Sequence, residues 1–155
     1  LFKKWVALFF LAKLKADKKI NTMKYFDTAD EAAKEILNLV SPISKDFNIE
    51  IGGSIIHDRL GYRYTTPQLG DAVSVNLAYG YDGYHTHPNE YDMFSNKYTA
   101  ATGGGGDVGW LNHSLNKNVT MYLGSQIGSK VFIGSCTAAT CFHHFAGTKA
   151  NKVLQ

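Results

Sequence analysis

The chain of 155 residues predicts an α+β domain: a mixed β-sheet flanked by helices, with an apolar-basic helix in front. Three observations carry this. Apolar residues recur at helical spacing between 29 and 40. From Phe47 onward short alternating runs are separated by Gly and Pro. A second short helical stretch then follows a run of four glycines, before two more strands.

The first element is the apolar run Trp5 to Ala12, preceded by Lys3 and Lys4 and followed by Lys13 and Lys15. It has the texture of a signal peptide without a small-x-small cleavage site, and it is too short to span a bilayer. Three readings stand: a helix buried by protein through Phe2, Trp5 and Phe9, a membrane-surface or translocation helix, or residual targeting sequence. Thr28 and Glu31 then form a capping-box pattern, with Ala32, Ala33, Ile36, Leu37 and Val40 on one face behind it. Ser41-Pro42 is expected to end that helix.

Ile49, Ile51, Ile55 and Ile56 around Gly52-Gly53 read as a strand with a bulge or a close backbone approach. Leu60 to Thr66 alternates and reads as a second strand. Pro67 and Gly70 mark a loop, and Val73, Val75 and Leu77 alternate again. After a turn over 80–83, Tyr84 to His87 is a short strand stopped by Pro88. Residues 89–106 form a long polar loop, of the kind that is usually functional. Asp107 to Leu115 reads as a short helix, and Val119–Leu123 and Lys130–Ile133 as strands joined by a turn at 125–129. This divides the chain into an N-terminal helical extension (1–20), a central domain (21–135) and a C-terminal tail (136–155).

Charge narrows the function. Lys plus Arg is 16 and Asp plus Glu is 13, a formal +3. Residues 1–19 hold six Lys and one Asp, so the remainder holds ten basic and twelve acidic side chains, a net of −2. The body is therefore not basic, which disfavours a large phosphate-binding face. Cys136 and Cys141 are spaced to close a small disulfide loop or to remain thiols. With His143 and His144 they also make a weak metal-ligand pattern, C-x4-C-x-H-H.

The sharpest feature is His85-Thr86-His87-Pro88. Residues i and i+2 of a strand share a face, so both imidazoles are presented to one point, an arrangement that suits a transition metal. A catalytic zinc needs a third protein ligand. Asp107, which follows Gly103–Gly106 and would open a helix, is the candidate. Glu50, on a neighbouring strand, is the candidate general base. Each of these residues also has a plain structural reading: a histidine pair on a strand, a helix N-cap at Asp107, a solvated Glu50. Asp82, Glu90 and Asp92 read as loop solvation.

The order Glu, then H-x-H-P, then Asp resembles the JAB/MPN metallopeptidases, whose JAMM motif reads Glu, H-x-H and S-x-x-D. The pieces FDTADEAA (26–33), EIGGSII (50–56), YHTHP (84–88), GDVGW (106–110) and YLGSQIGSKVF (122–132) together resemble the JAB-like toxin domain at the C-terminal ends of Rhs-repeat and other bacterial polymorphic toxins. The resemblance covers residues 26–134. It implies an MPN-like fold, Zn²⁺ on His85, His87 and Asp107, and Glu50 as base. One departure stands out: Gly104 occupies the position of the motif Ser, whose hydroxyl helps stabilise the developing oxyanion. A Gly-loop N–H or Ser95 is the candidate substitute.

Three functions follow as expectations. The first is a zinc-dependent hydrolase cleaving a peptide or isopeptide bond. It would be an effector secreted or translocated by a bacterial secretion system into a target cell's cytoplasm, acting on a protein substrate there and held in check by a cognate immunity protein. The second is a toxin acting on nucleic acid, as a nuclease or a deaminase. The deaminase form lacks the H-x-E and P-C-x-x-C patterns. The third is a catalytically degenerate JAB-like binding module, which Gly104 favours. Membrane contact through residues 1–19 is a separate expectation.

Overall fold

The computed structural model describes residues 2–96, 106–141 and 147–155. It is an α+β protein with a mixed, mostly antiparallel sheet. Helix α1 (Phe2–Ala16) and helix α2 (Ala29–Phe47) precede β1 (Ile51–Asp58), β2 (Gly61–Tyr64), β3 (Gln68–Leu69), β4 (Asp82–Thr86) and β5 (Met93–Phe94). Helix α3 (Gly106–Leu111) and a 3-10 turn (Ser114–Asn116) follow, then β6 (Thr120–Ile127), β7 (Lys130–Thr137), β8 (Thr148–Lys149) and β9 (Lys152–Val153). The main sheet runs β2-β1-β4-β6-β7-β9, with β3 also paired to β1, while β5 and β8 form a separate ribbon. Among the described residues only β4 and β6 are parallel, with His85 opposite Leu123.

Helix α2 starts where the capping pattern places it: the Thr28 side chain accepts a hydrogen bond from the Glu31 N–H at 3.1 Å. It does not stop at Pro42. It continues to Phe47 and ends at Asn48, whose left-handed backbone (φ 52°) is a common helix terminator. The apolar period simply continues, with Ile43 buried and Ser44 fully enclosed. Packing of that last turn outweighs the backbone bond that proline removes.

The sheet separates two cores. On one face α2 covers Ile51, Ile55, Tyr64, Tyr84, Tyr122 and Ile133, and α1 reaches the same core through Ala7 and Leu11. On the other face Val108 and Leu111 of α3 pack with Phe94, Met121, Leu123 and Cys136. Strand alternation sorts the side chains: Tyr84 and Thr86 face α2, and His85 faces α3. Gly124 lets α2 approach closely, since a Cβ there would lie 2.5 Å from Ser41 Oγ. Gly52 and Gly53 mark a close approach, not a bulge: a Cβ at either would collide with Tyr84.

Other differences are local. Val73, Val75 and Leu77 form no strand; residues 70–81 are irregular and lie beside the site. The apolar alternation there serves a cleft wall. The α1 helix forms as expected, but Phe2 (81% exposed), Trp5 (69%) and Phe9 (65%) are not buried by protein; only Ala7 and Leu11 are. Cys136 and Cys141 form a disulfide, so neither is a free metal-ligating thiol. His143, His144 and Gly104 lie outside the described residues. The C-terminal segment joins the sheet, with β9 paired to β7 at Gly134 and Val153. Lys152 contacts Asp30 at the start of α2 at 2.6 Å.

Candidate metal centre

The centre forms where β4 leaves the sheet. His85 is the penultimate residue of β4, and His87 follows its end, with its N–H donating to the Gly124 carbonyl at 3.0 Å. That bond keeps the chain extended for one more residue, so both rings fall on the α3 face. Their Nε2 atoms are 3.2 Å apart. The His87 Nδ1 lies 3.0 Å from the Tyr91 carbonyl, which can only accept; Nδ1 therefore carries a proton, and Nε2 is the ring atom turned inward.

Asp107 arrives from the other side, in the first turn of α3. One carboxylate oxygen lies 3.1 Å from His85 Nε2 and the other 3.2 Å from His87 Nε2. Ser95 fixes that carboxylate: its N–H donates to Asp107 Oδ2 at 2.8 Å, and the Asp107 N–H donates back to Ser95 Oγ at 3.2 Å. Gly106 makes this approach feasible. Its φ is +57°, and a Cβ there would lie 2.7 Å from Ser95 Oγ.

Glu50 comes from the residue just before β1. The antiparallel register sets Gly52 opposite His85. Two residues back on one strand and two on along the other, Glu50 and His87 meet. The Glu50 backbone is held by Asp71 and Gly70 at 2.7 and 2.8 Å. Its side chain is buried, and Glu50, His85 and His87 offer ligand atoms within 4.8 Å of one another. This buried group could hold a metal ion.

The electrostatics are those of a buried acid–imidazole cluster. Burial pushes the Glu50 carboxyl up to about 7, despite the opposing pull of His85 and His87. Burial also works to raise Asp107, but charge on His85 and His87 and their hydrogen bonds hold it well below the usual carboxylate range. Burial would lower His85, yet the Asp107 and Glu50 carboxylates raise it overall. The cluster thus demands positive charge at its centre. The donor spacing suits an ion in that place: tetrahedral donors about 2.0–2.1 Å from an ion sit about 3.3 Å apart. The two Nε2 atoms, 3.2 Å apart, have that separation, and each has a different Asp107 oxygen beside it, at 3.1 and 3.2 Å.

No family model, curated protein or solved structure matches the chain.

A cleft of about 430 Å³ opens onto the cluster, with Glu50, His85, His87 and Asp107 in its lining. Its far wall is aromatic. Tyr79 stacks on His113 with ring centroids 4.2 Å apart, and Trp110 stands beside them, its indole N–H reaching the Leu77 carbonyl at 3.4 Å. Sequence reasoning did not single out Tyr79, Trp110 or His113, because nothing in the local pattern marks them. The Tyr91 carbonyl was equally hidden, although the turn forced by Pro88 is what returns the chain to His87. Of the remaining acids, Asp82 accepts from the Thr120 N–H at 2.7 Å, and Glu90 pairs with Lys45; both serve the framework.

Proposed function

We propose that this chain is a zinc-dependent hydrolase of the JAB/MPN kind that cleaves a peptide or isopeptide bond. The convergence of His85, His87 and Asp107, with Glu50 buried beside them, carries this reading. Two imidazoles and a carboxylate are a donor set that zinc favours. When bound, such an ion would polarise a scissile carbonyl and make water acidic.

The chain's own residues supply the rest. Glu50, buried beside the two imidazoles, is placed to take a proton from an attacking water and return it to a departing amine. The Tyr91 carbonyl holds His87 in the tautomer that can ligate. Ser95 keeps both Asp107 oxygens directed at the imidazoles. The cleft provides room for an extended segment, and burial of the cluster limits stray water.

The cleft also bears on the nucleic-acid alternative. Among the described residues its lining includes three histidines, Glu50 and Asp107, and no Lys or Arg to meet a phosphate. The motif resemblance extends the proposal to delivery: a polymorphic-toxin effector, translocated into a target cell and neutralised by an immunity protein.

The test is hydrolysis by the zinc-loaded chain of unfolded protein, isopeptide-linked chains, RNA and DNA in parallel. Cleavage of an amide substrate, lost in His85→Ala and Asp107→Ala together with the metal, is expected. Glu50→Gln should keep the metal and lose about 10²–10⁴-fold in rate. Full activity in Glu50→Gln, or cleavage of nucleic acid alone, would overturn the proposal.

A further inference from the structure

Helix α1 has two apolar faces, and the protein covers one. At 100° per residue, Ala7, Leu11 and Leu14 form the stripe packed against the domain, the first two buried and the third half-buried. Phe2, Trp5, Phe9, Ala12 and Ala16 form a second stripe on the opposite side, all exposed, with Leu8 (56%) at its border. Among the described residues, α1 gathers four of the most exposed large apolar side chains into one patch.

The lysines near that patch are four. Lys13 falls at one rim of the outward stripe and Lys15 just beyond Leu8 at the other, while Lys3 and Lys4 fall beside Leu14 and Leu11 at the edges of the domain-facing stripe. Lys18 and Lys19 follow beyond the helix end. All six are exposed and the helix holds no acidic residue; Asp17 follows it, and Asp71 of the domain lies near Lys4. A face meant for water would carry its charges at its centre. Here the centre is aromatic, and Lys13 and Lys15 border it on either side with Lys18 and Lys19 beyond the helix end. A flat surface that is apolar within and anionic at its boundary complements this pattern. The helix has fifteen residues, and no helix among the described residues is long and apolar enough to cross a membrane, so the geometry is that of a helix lying in the interface.

We propose that the outward face of α1 docks on an anionic lipid bilayer, with Phe2, Trp5 and Phe9 inserted at headgroup depth and Lys13, Lys15, Lys18 and Lys19 against lipid phosphates. The apolar stripe supplies depth and the lysines supply selectivity for negative lipid, each contributing about fivefold in partitioning. This docking is independent of the metal centre, which lies on the other side of the sheet from α2.

The experiment uses the full chain with vesicles of phosphatidylcholine alone and of phosphatidylcholine with phosphatidylglycerol. Sedimentation should show binding to the anionic vesicles that weakens with salt, and weak binding to the neutral ones. In a Trp110→Phe background, Trp5 fluorescence should shift to the blue on binding. Trp5→Ser with Phe9→Ser alters exposed side chains only; circular dichroism should be unchanged while binding falls more than tenfold. Lys13→Glu, Lys15→Glu and Lys18→Glu together should reduce anionic binding by more than about a hundredfold. Failure of the wild-type chain to bind anionic vesicles, or equal binding by the Trp5/Phe9 variant, would overturn the proposal. So would a dimer in solution that the Trp5/Phe9 variant converts to monomer, since a second copy would then cover the face.

Discussion

Ser95 and Asp107 hold each other by two reciprocal hydrogen bonds, the Ser95 N–H to the carboxylate at 2.8 Å and the Asp107 N–H to the hydroxyl at 3.2 Å. The carboxylate thereby enters the imidazole pair already oriented. Ser95→Ala removes the hydroxyl acceptor and keeps the N–H donor. Metal affinity by calorimetry should fall about tenfold, at the lower end for a residue supporting a ligand. Unchanged affinity would show that the backbone donor suffices alone.

Glu50 costs the metal-free protein stability at neutral pH. Its folded carboxyl sits near 7, above its ordinary value of 4.5. Between those values the unfolded chain releases its proton first, so folding stability drops as pH rises through that window and stays lower above it. Chelated Glu50→Gln should therefore unfold with the wild type at pH 4, and exceed it by about 2–3 kcal/mol at pH 8. Thermal or urea melts at both pH values decide the matter; equal stability at pH 8 would contradict the burial of a charged Glu50.

Gly124 and Ser41 should couple. A Cβ at Gly124 meets Ser41 Oγ at 2.5 Å and the Leu37 side chain at 3.1 Å. Ser41 Oγ is itself buried with no hydrogen-bond partner among the described residues. Gly124→Ala should cost about 1–3 kcal/mol by overpacking. Ser41→Ala should be neutral or stabilising, because it removes an unsatisfied oxygen. In the double variant part of the Gly124→Ala cost should disappear, a non-additivity that a double-mutant cycle in urea would measure.

Tyr79 is half exposed and stacks on His113 in the far wall of the cleft. Tyr79→Ala leaves the cluster intact and removes one wall. KM for an amide substrate should rise about three- to tenfold with kcat little changed. A fall in kcat at constant KM would mean that the stack acts on the reacting groups instead of holding substrate.

Where a local rule applied, the sequence was readable. Thr28 and Glu31 sit one turn apart, so the start of α2 could be placed, and two-residue strand periodicity put His85 and His87 on one side. Asp107 depended on motif order, since nothing local says that α3 folds back across β4. Pro42 misled because proline's local cost is visible in sequence, whereas the packing of Ile43 and Ser44 that offsets it is long-range. Val73, Val75 and Leu77 misled because alternation reports one-sided burial, and a cleft wall buries one side as well as a sheet does. The exposed stripe of α1 was unreadable for a related reason: Phe2 and Leu11 are equally apolar, and only the position of the domain distinguishes them.

The parallel pairing of β4 with β6 has a kinetic consequence. Parallel neighbours need a long crossover, and here that crossover carries β5, Ser95 and α3 with Asp107. His85 and His87 arrive with β4, but their carboxylate partner is fixed only once the crossover has closed and β6 has docked. The cluster is therefore a late product of folding, and the unfolded chain has no comparable site to offer. An ion held there would bind the native state almost exclusively, adding about 4 kcal/mol at a thousandfold excess over its dissociation constant. Retention of the ion and resistance to unfolding would be one property measured in two ways.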